Sequence, residues 1–315
     1  MTREPPPGRL VDVGGHRLHL VRAGHGSPAV IFDAALGASS ISWSFVLPEV
    51  ARVTEACAYD RAGMGWSDAG PLPRTAGRIE RELHELLVRG GVPPPYVLVG
   101  HSFGGLVARL FAARHRDDTA GLVLIEPAQP EDWAAPSESD RRLIDRGVRL
   151  CRYGATAARL GIARGVAALV EAGALAPARA LAALAGRGGL RRDDETILAP
   201  VWKLPADVRR PLRHHWTQPR FFEALGSQIG SICESAAEVG REGSRVRPDL
   251  PLVTISSAGA SERRQRSDAA LARLSANGRH VVSTTGGHWV PLDDPRTIVD
   301  SIVKMVEEIR AGQRG

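Results

Sequence analysis

Pro95-Tyr96-Val97-Leu98-Val99-Gly100-His101-Ser102-Phe103-Gly104-Gly105-Leu106-Val107 is the stretch on which the reading of this chain turns. Tyr96 to Val99 is a short β-branched and aromatic run of the kind that forms a fully buried strand. Gly100 to Gly104 fits G-x-S-x-G, and beyond Gly105 the apolar Leu106, Val107, Leu110 and Phe111 fall at helical spacing. A strand, one sharp turn and a helix put a serine hydroxyl on a strained corner above a parallel sheet. Glycines two residues to either side are needed because a Cβ there would meet neighbouring backbone. An ordinary Gly-Ser turn satisfies the five-residue pattern, but it does not call for the strand before and the helix after. Ser102 is the expected nucleophile.

Outward from this unit the chain alternates. Leu10 to Val13 and Arg17 to Val21 flank Gly14-Gly15 as a hairpin. Ala29 to Phe32 and Arg52 to Tyr59 read as strands, Thr75 to Val88 as a helix stopped by Gly90-Gly91, and Gly121 to Ile125 as the strand after the serine helix. Strand, helix, strand, helix, strand is the pattern of right-handed crossovers and a mostly parallel sheet. Between Pro127 and Arg247 strand signal is weak, and Ala-, Leu- and Arg-rich helical stretches take over, at Ser139–Leu160, Arg164–Ala174, Pro177–Ala185 and Pro219–Val239. Strands return at Leu252–Ser256 and His280–Ser283. A final helix runs from Pro295 to Ile309, with Asp294 as N-cap. The expected architecture is α/β: a mostly parallel central sheet with helices on both faces, formed by residues 9–126 and 248–312, with 127–247 inserted as a helical lid. An insertion there lies over the carboxyl ends of the strands, where open α/β sheets bind ligands.

The chain has 315 residues and a formal charge of +6, but only Lys203 and Lys304 are lysines. The basic charge is arginine interleaved with Asp and Glu, with no basic block and no nucleic-acid module pattern, so nucleic acid is not an expected partner. Three widely spaced cysteines, Cys57, Cys151 and Cys233, fit free thiols and neither a disulfide framework nor a zinc site. No apolar run is long enough to span a bilayer, and the first residues lack a signal-peptide core. The expectation is a cytoplasmic protein with no integral membrane segment, no metal and no cofactor; the oligomeric state stays open.

Four pieces together resemble the α/β-hydrolase family, in its serine-nucleophile branch with a helical lid, and the likeness covers most of the chain outside the insertion. They are Asp33 to Ser40, Tyr59-Asp60-Arg61-Ala62-Gly63-Met64-Gly65-Trp66-Ser67-Asp68, Gly100 to Gly104, and Gly286-Gly287-His288-Trp289. Many relatives open the loop after the first parallel strand with His-Gly, where this chain has Asp33-Ala34. A serine hydroxyl needs a base, and His288, in a Gly-rich loop before the last helix, is the candidate. His101 adjoins the nucleophile but should point the other way and pack beneath. His280 begins a strand, and His214-His215 lie in the insertion. The base needs an acid to fix its tautomer. Glu126, at the end of Leu122-Val123-Leu124-Ile125, matches the position used by relatives such as haloalkane dehalogenases; Glu262 is the alternative and Asp268 a third. Asp293 and Asp294 read as helix caps. The Phe103 amide, at a helix N-terminus just past the nucleophile, is one oxyanion donor, and the resemblance puts the other at Ala35. Trp43, Met64 and Trp289 are candidate pocket-lining residues.

The function these residues imply is hydrolysis of a carboxylic ester, thioester or lactone through an acyl-enzyme, with a small apolar acyl compound as substrate. Serine at the nucleophile position disfavours the aspartate chemistry of epoxide hydrolases and dehalogenases. Two other functions use the same features: an acyltransferase or cyclising thioesterase with the same triad, and a non-catalytic small-ligand binder on the hydrolase scaffold.

Overall fold

Around Gly14-Gly15 the chain folds back, and β1 (Arg9–Asp12) pairs antiparallel with β2 (Arg17–Ala23). The structure, a computed structural model, describes residues 7–165, 203–243 and 245–312. Six more strands follow: β3 (Ala29–Asp33), β4 (Ala56–Tyr59), β5 (Tyr96–His101), β6 (Thr119–Ile125), β7 (Leu252–Ser256) and β8 (Gly278–Val282). They form one sheet in the order β1-β2-β4-β3-β5-β6-β7-β8, parallel from β4 through β8. From β3 the chain first adds β4 on one side and then β5 on the other. The loops leaving β3 and β5 therefore diverge and open a crevice at the carboxyl end of the sheet.

Successive strand residues serve opposite faces. Ile31, Leu98, Leu122 and Leu124 face α2 (Ala76–Arg89) and α3 (Phe103–Arg114), packing with Ile79, Leu83, Leu106 and Leu110. Val30, Phe32, Val97, Val99, Val123 and Ile125 face α1 (Leu47–Val50) and α11 (Pro295–Gly312), packing with Val50, Ile298, Ile302 and Met305. Burial on both faces is why these strands read as continuous apolar runs and not as alternating ones. Thr75 caps α2 by accepting the Arg78 N–H at 3.2 Å.

Between β6 and β7 the described residues are helical: α4 (Pro130–Ala134), α5 (Glu138–Arg159), α6 (Ala206–Trp216), α7 (Pro219–Gly230) and α8 (Ile232–Glu242). α5 lies along α7, whereas α8 drops onto the core, with Ile232 and Val239 among the side chains of α2 and α3. Ser235 Oγ and Glu238 Oε2 of α8 accept the Ala76 and Gly77 N–H groups at 3.0 and 2.7 Å. These are first-turn donors of α2 that have no partner within their own helix. Packing thus divides the inserted segment: α8 lies against α2, α3 and α4, and α5 lies against α7.

Several elements differ from the sequence reading. The strand expected at Arg52–Tyr59 begins at Ala56, because Ala51 and Thr54 donate back to Leu47 and Val50 (2.9 and 3.1 Å) and wind this stretch as the end of α1. The helix expected across Pro219–Val239 breaks at Ser231, after Gly230. α6, which contains Pro211, and α9 (Glu262–Ala272) were not foreseen. The helices expected at Pro177–Ala185, and at Arg164–Ala174 beyond Gly165, lie outside the described residues. Among the described residues no helix is long and apolar enough to cross a membrane.

Two physical expectations follow. A Cβ built on Gly104 would stand 2.4 Å from Asp33 O, backbone that cannot give way. Gly104→Ala should therefore lower the unfolding free energy by roughly 1–3 kcal/mol, read from urea midpoints at constant m-value. Burial pushes the imidazoles of His101 and His215 down to about 3 and about 4. The unfolded chain protonates both near pH ~6.5, so it binds more protons than the native state below that pH. Stability is full above pH ~6.5 and is lost as pH falls towards 4, with a slope approaching about 1.4 kcal/mol per pH unit for each histidine. His215→Phe, which keeps a ring against Trp66, should make urea midpoints between pH 5 and 7.5 less pH-dependent; an unchanged pH dependence would refute the assignment.

Candidate active site

β5 runs one residue past β3, pairs His101 with Ile125 at the end of β6, and turns. Ser102 has φ 53° and ψ −116°, its N–H donates to Ile125 O at 2.9 Å, and its carbonyl accepts from Gly105 and Ala128 at 2.9 and 3.0 Å. A side chain on Gly100 would lie 2.5 Å from Gly104 O. The two glycines of the pattern therefore let the start of α3 fold against its own strand and against the loop after β3. Ser102 is the N-cap of α3 and its side chain makes no capping hydrogen bond, which leaves the hydroxyl at the positive end of the helix dipole.

β6 ends in the same manner. Glu126 has φ 43°, and its N–H donates to Ile255 O at 2.8 Å. Its carboxylate is buried; Oε1 accepts the Ser257 N–H at 2.6 Å, and Oε2 lies 3.3 Å from His288 Nδ1. Burial pushes this carboxyl up, but the His288 hydrogen bond, the Ser257 amide and the Arg264 charge outweigh it and hold it below the ordinary glutamate value. An ionised Glu126 accepts a proton-bearing Nδ1, which leaves His288 Nε2 as the basic nitrogen. The His288 side chain is 49% exposed.

The loop that carries His288 is fixed at both ends. His101 is fully buried, and its Nε2–H donates to His288 O at 2.9 Å, tying that loop to the residue beside Ser102. His101 therefore packs beneath, as the sequence implied. Asp294, besides starting α11, accepts the Thr284 N–H, the hydroxyls of Ser283 and Thr284 and the Thr297 hydroxyl through one oxygen, at 2.7–2.9 Å. Burial raises its carboxyl, yet these donors win and hold it far below the usual range. Asp293 closes the short α10 (Val290–Asp293) and pairs with Lys203.

The alternative acids are occupied elsewhere. Glu262 begins α9, has a side chain 89% exposed and pairs with Arg266 at 3.2 Å; the structure does not bring it to His288. Asp268 is buried further along α9, where it accepts from Ser256 Oγ at 2.7 Å and Gln129 Nε2 at 2.8 Å, with Arg264 at 3.4 Å. His280 Nε2 meets the same Ser256 hydroxyl at 2.8 Å.

Of the two expected oxyanion donors, Phe103 opens α3, so its N–H has no acceptor within the helix. Ala35 lies in the loop after β3, which is held by Arg61. The Arg61 Nε donates to Asp33 Oδ1 at 2.9 Å, Nη2 donates to Ala34 O, and Nη1 donates to Ala35 O at 3.4 Å and to Gln228 Oε1 at 3.3 Å. The same guanidinium lies over the Phe103 ring, 5.0 Å from its centroid. Nothing in the local sequence singles out Arg61 or Gln228. A buried arginine beside a buried aspartate is legible only once the fold brings residues 33, 61 and 228 together.

The candidate pocket residues separate. Trp289, neighbour of His288, lines a cavity of about 300 Å³ with Leu36, Ser39, Leu212, Phe222 and Leu225. Trp43 is core, packed on Phe32 and edge-on to His101, and borders a different cavity of about 380 Å³ with Trp66, Val208 and Pro211. Met64 is also core, enclosed with Phe221 and Ala224. Both were expected in the acyl pocket; neither lines the cavity beside Trp289.

A family profile described as alpha/beta hydrolase fold matches residues 28–156. The Bacillus subtilis protein YqjL is 36% identical over 107 residues, 34% of this chain and 42% of that protein. A haloalkane dehalogenase of Sphingobium indicum is 29% identical over 141 residues, 43% of this chain and 47% of the dehalogenase. These matches thus span less than half the length of either curated relative. Solved structures align over nearly their whole length. A putative epoxide hydrolase from Pseudomonas aeruginosa aligns with TM-score 0.69 at 16% identity, covering 96% of each chain. A thermophilic esterase from Thermogutta terrifontis gives 0.65 at 18%, covering 93% of this chain and 94% of the esterase. At such identities the likeness is one of fold. With the sheet order and the strand-turn-helix at Ser102 already in hand, these matches show that the chain has the α/β-hydrolase fold, with residues 28–156 matching that family's profile.

Proposed function

We propose that the protein hydrolyses a carboxylic ester, thioester or lactone through an acyl-enzyme, with Ser102 as nucleophile, His288 as base and Glu126 as the acid that orients it. The observation that carries this reading is the contact of His288 Nδ1 with a buried, ionised Glu126 beside a serine held at φ 53° on a helix N-terminus. Ser102 Oγ attacks the substrate carbonyl carbon while His288 Nε2 takes its proton. The carbonyl oxygen becomes an oxyanion and receives the Phe103 and Ala35 N–H groups. His288 then returns the proton to the departing alcohol or thiol, leaving the acyl group on Ser102. Water, deprotonated by the same nitrogen, releases the acid and restores the serine.

The apolar cavity beside Trp289 supports an apolar acyl group. Its walls are Leu36 to Ser39, which follow Ala35, and aliphatic and aromatic side chains of α6 and α7 (Leu212, Trp216, Phe221, Phe222 and Leu225). In this reading those helices form the lid. The hydroxyl nucleophile supports acyl chemistry over that named for the epoxide hydrolase and dehalogenase neighbours.

A fluorophosphonate probe should label the wild type at Ser102 and fail to label Ser102→Ala, whose kcat should fall on the order of 10⁶-fold. Absence of labelling on folded wild type would overturn the assignment. Glu126→Gln should lower kcat about 10⁴-fold by favouring the wrong imidazole tautomer, while Glu262→Gln stays within about twofold; the reverse would move the acid to α9. Across p-nitrophenyl esters, kcat/KM should rise about fourfold per methylene, the equivalent of roughly 0.8 kcal/mol, until the cavity is full. Leu225→Trp should shift that optimum to shorter chains; an unmoved optimum would place the acyl group elsewhere.

A further inference from the structure

We propose that Arg61 is a positioning residue for the oxyanion-binding amides, and that Gln228 of the inserted helices holds Arg61 in place, so that the insertion sets the aim of the oxyanion hole. The proposal rests on the serine hydrolase reading above.

Oxyanion donors are backbone groups, and their aim depends on whatever grips the adjoining carbonyls. A peptide unit is planar and trans, so its N–H and C=O point in opposite directions. The Ala35 N–H shares its peptide unit with Ala34 O, the oxygen to which Arg61 Nη2 donates. Holding that carbonyl towards Arg61 turns the Ala35 N–H away from it. Arg61 Nη1 does the same to the next unit through Ala35 O. Gly104, at the start of α3, is backed directly against Asp33 O and Ala34 O, so the loop cannot retreat on that side. Over the other donor, the guanidinium plane covers the ring of Phe103. One cation, 2% exposed, therefore touches both residues whose N–H groups face the oxyanion.

The remaining acceptor of Arg61 comes from outside the core. Nε and Nη2 contact Asp33 Oδ1 at 2.9 and 2.7 Å, and the last Nη1 contact is Gln228 Oε1 on α7. Gln228 is fully buried, and its Nε2 has no hydrogen-bond partner. A buried amide that leaves its own donor unsatisfied is retained at a stability cost, and what it supplies in this structure is an acceptor for Arg61. Arginine suits the task because its planar fork reaches separate acceptors in fixed directions, which a lysine ammonium does not.

The test uses the full-length protein and compares wild type, Ser102→Ala, Gln228→Leu, Gln228→Glu and Arg61→Lys. The readouts are kcat and KM on one p-nitrophenyl ester, affinity for a boronic acid with the matching acyl group, and the urea midpoint. Gln228→Leu keeps the shape and removes both the acceptor and the orphaned donor. We expect kcat to fall ten- to a hundredfold with KM within about threefold, boronate affinity to fall in proportion to kcat, and the urea midpoint to hold or rise. Misaiming an oxyanion donor has effects of this order, since losing one outright costs about 10²–10³ in kcat. Gln228→Glu retains the acceptor and should restore kcat to within about threefold of wild type. If Gln228→Leu does not fold, Arg61→Lys decides on the same readouts. Wild-type kcat in a folded Gln228→Leu, or a loss confined to KM, overturns the proposal and leaves the Ser102 reading intact. A wild type that neither turns over esters nor takes a fluorophosphonate overturns both.

Discussion

Two backbone hydrogen bonds support everything at the carboxyl end of this sheet: Ser102 N–H to Ile125 O at 2.9 Å and Glu126 N–H to Ile255 O at 2.8 Å. Each carries its residue one step beyond the strand, onto a carbonyl near the end of the neighbouring strand, before the chain turns away. Among the described residues, Ser102 and Glu126 are the non-glycine residues with positive φ, at 53° and 43°. Such backbone costs on the order of 1–3 kcal/mol per residue. It persists because the ladder on one side and the following turn on the other leave no room to relax. Two adjacent parallel strands thus end in the same strained manner, with a hydroxyl on one and a carboxylate on the next, and the His288 loop spans the gap.

The architecture was legible because burial on both faces writes itself into runs such as Val97-Leu98-Val99 and Leu122-Val123-Leu124-Ile125. Glycines at positions 100 and 104 likewise mark where backbones must touch. Glu126 was legible from its place at the end of β6. What escaped notice lacked such a periodic signature. α9 carries Glu-Arg-Arg-Gln-Arg in its first turns and buries little beyond Asp268, Leu271 and Ala272, so no apolar stripe announces it. α6 contains Pro211, which counts against a helix in any local reading. Arg52 to Glu55 reads as the start of a strand because it leads straight into the buried run Ala56–Tyr59, whereas the backbone there still winds as the end of α1.

Arg61 and Gln228 escaped for a different reason. Their significance lies in the company they keep: 28 residues separate Arg61 from Asp33, and 167 separate it from Gln228. Nothing local to either residue distinguishes a buried polar clamp from a solvated side chain. Trp43 and Met64 show the converse. Large apolar residues near the loops at the strand ends suggest a pocket, yet both are buried and neither lines the cavity beside Trp289. The cavity beside Trp289 is lined by the loop after Ala35 and by the inserted helices, where sequence gives composition but not placement.

One further consequence lies in Asp294. The carboxylate that starts α11 also gathers the Ser283 and Thr284 groups of the loop leading to His288, so the last helix and the proposed base share a single anchor. Fraying of α11 from its first turn would release the imidazole while the eight-stranded sheet stayed whole. On warming, this molecule should therefore go silent before it melts, with hydrogen exchange at the start of α11 and loss of serine reactivity keeping the same temperature.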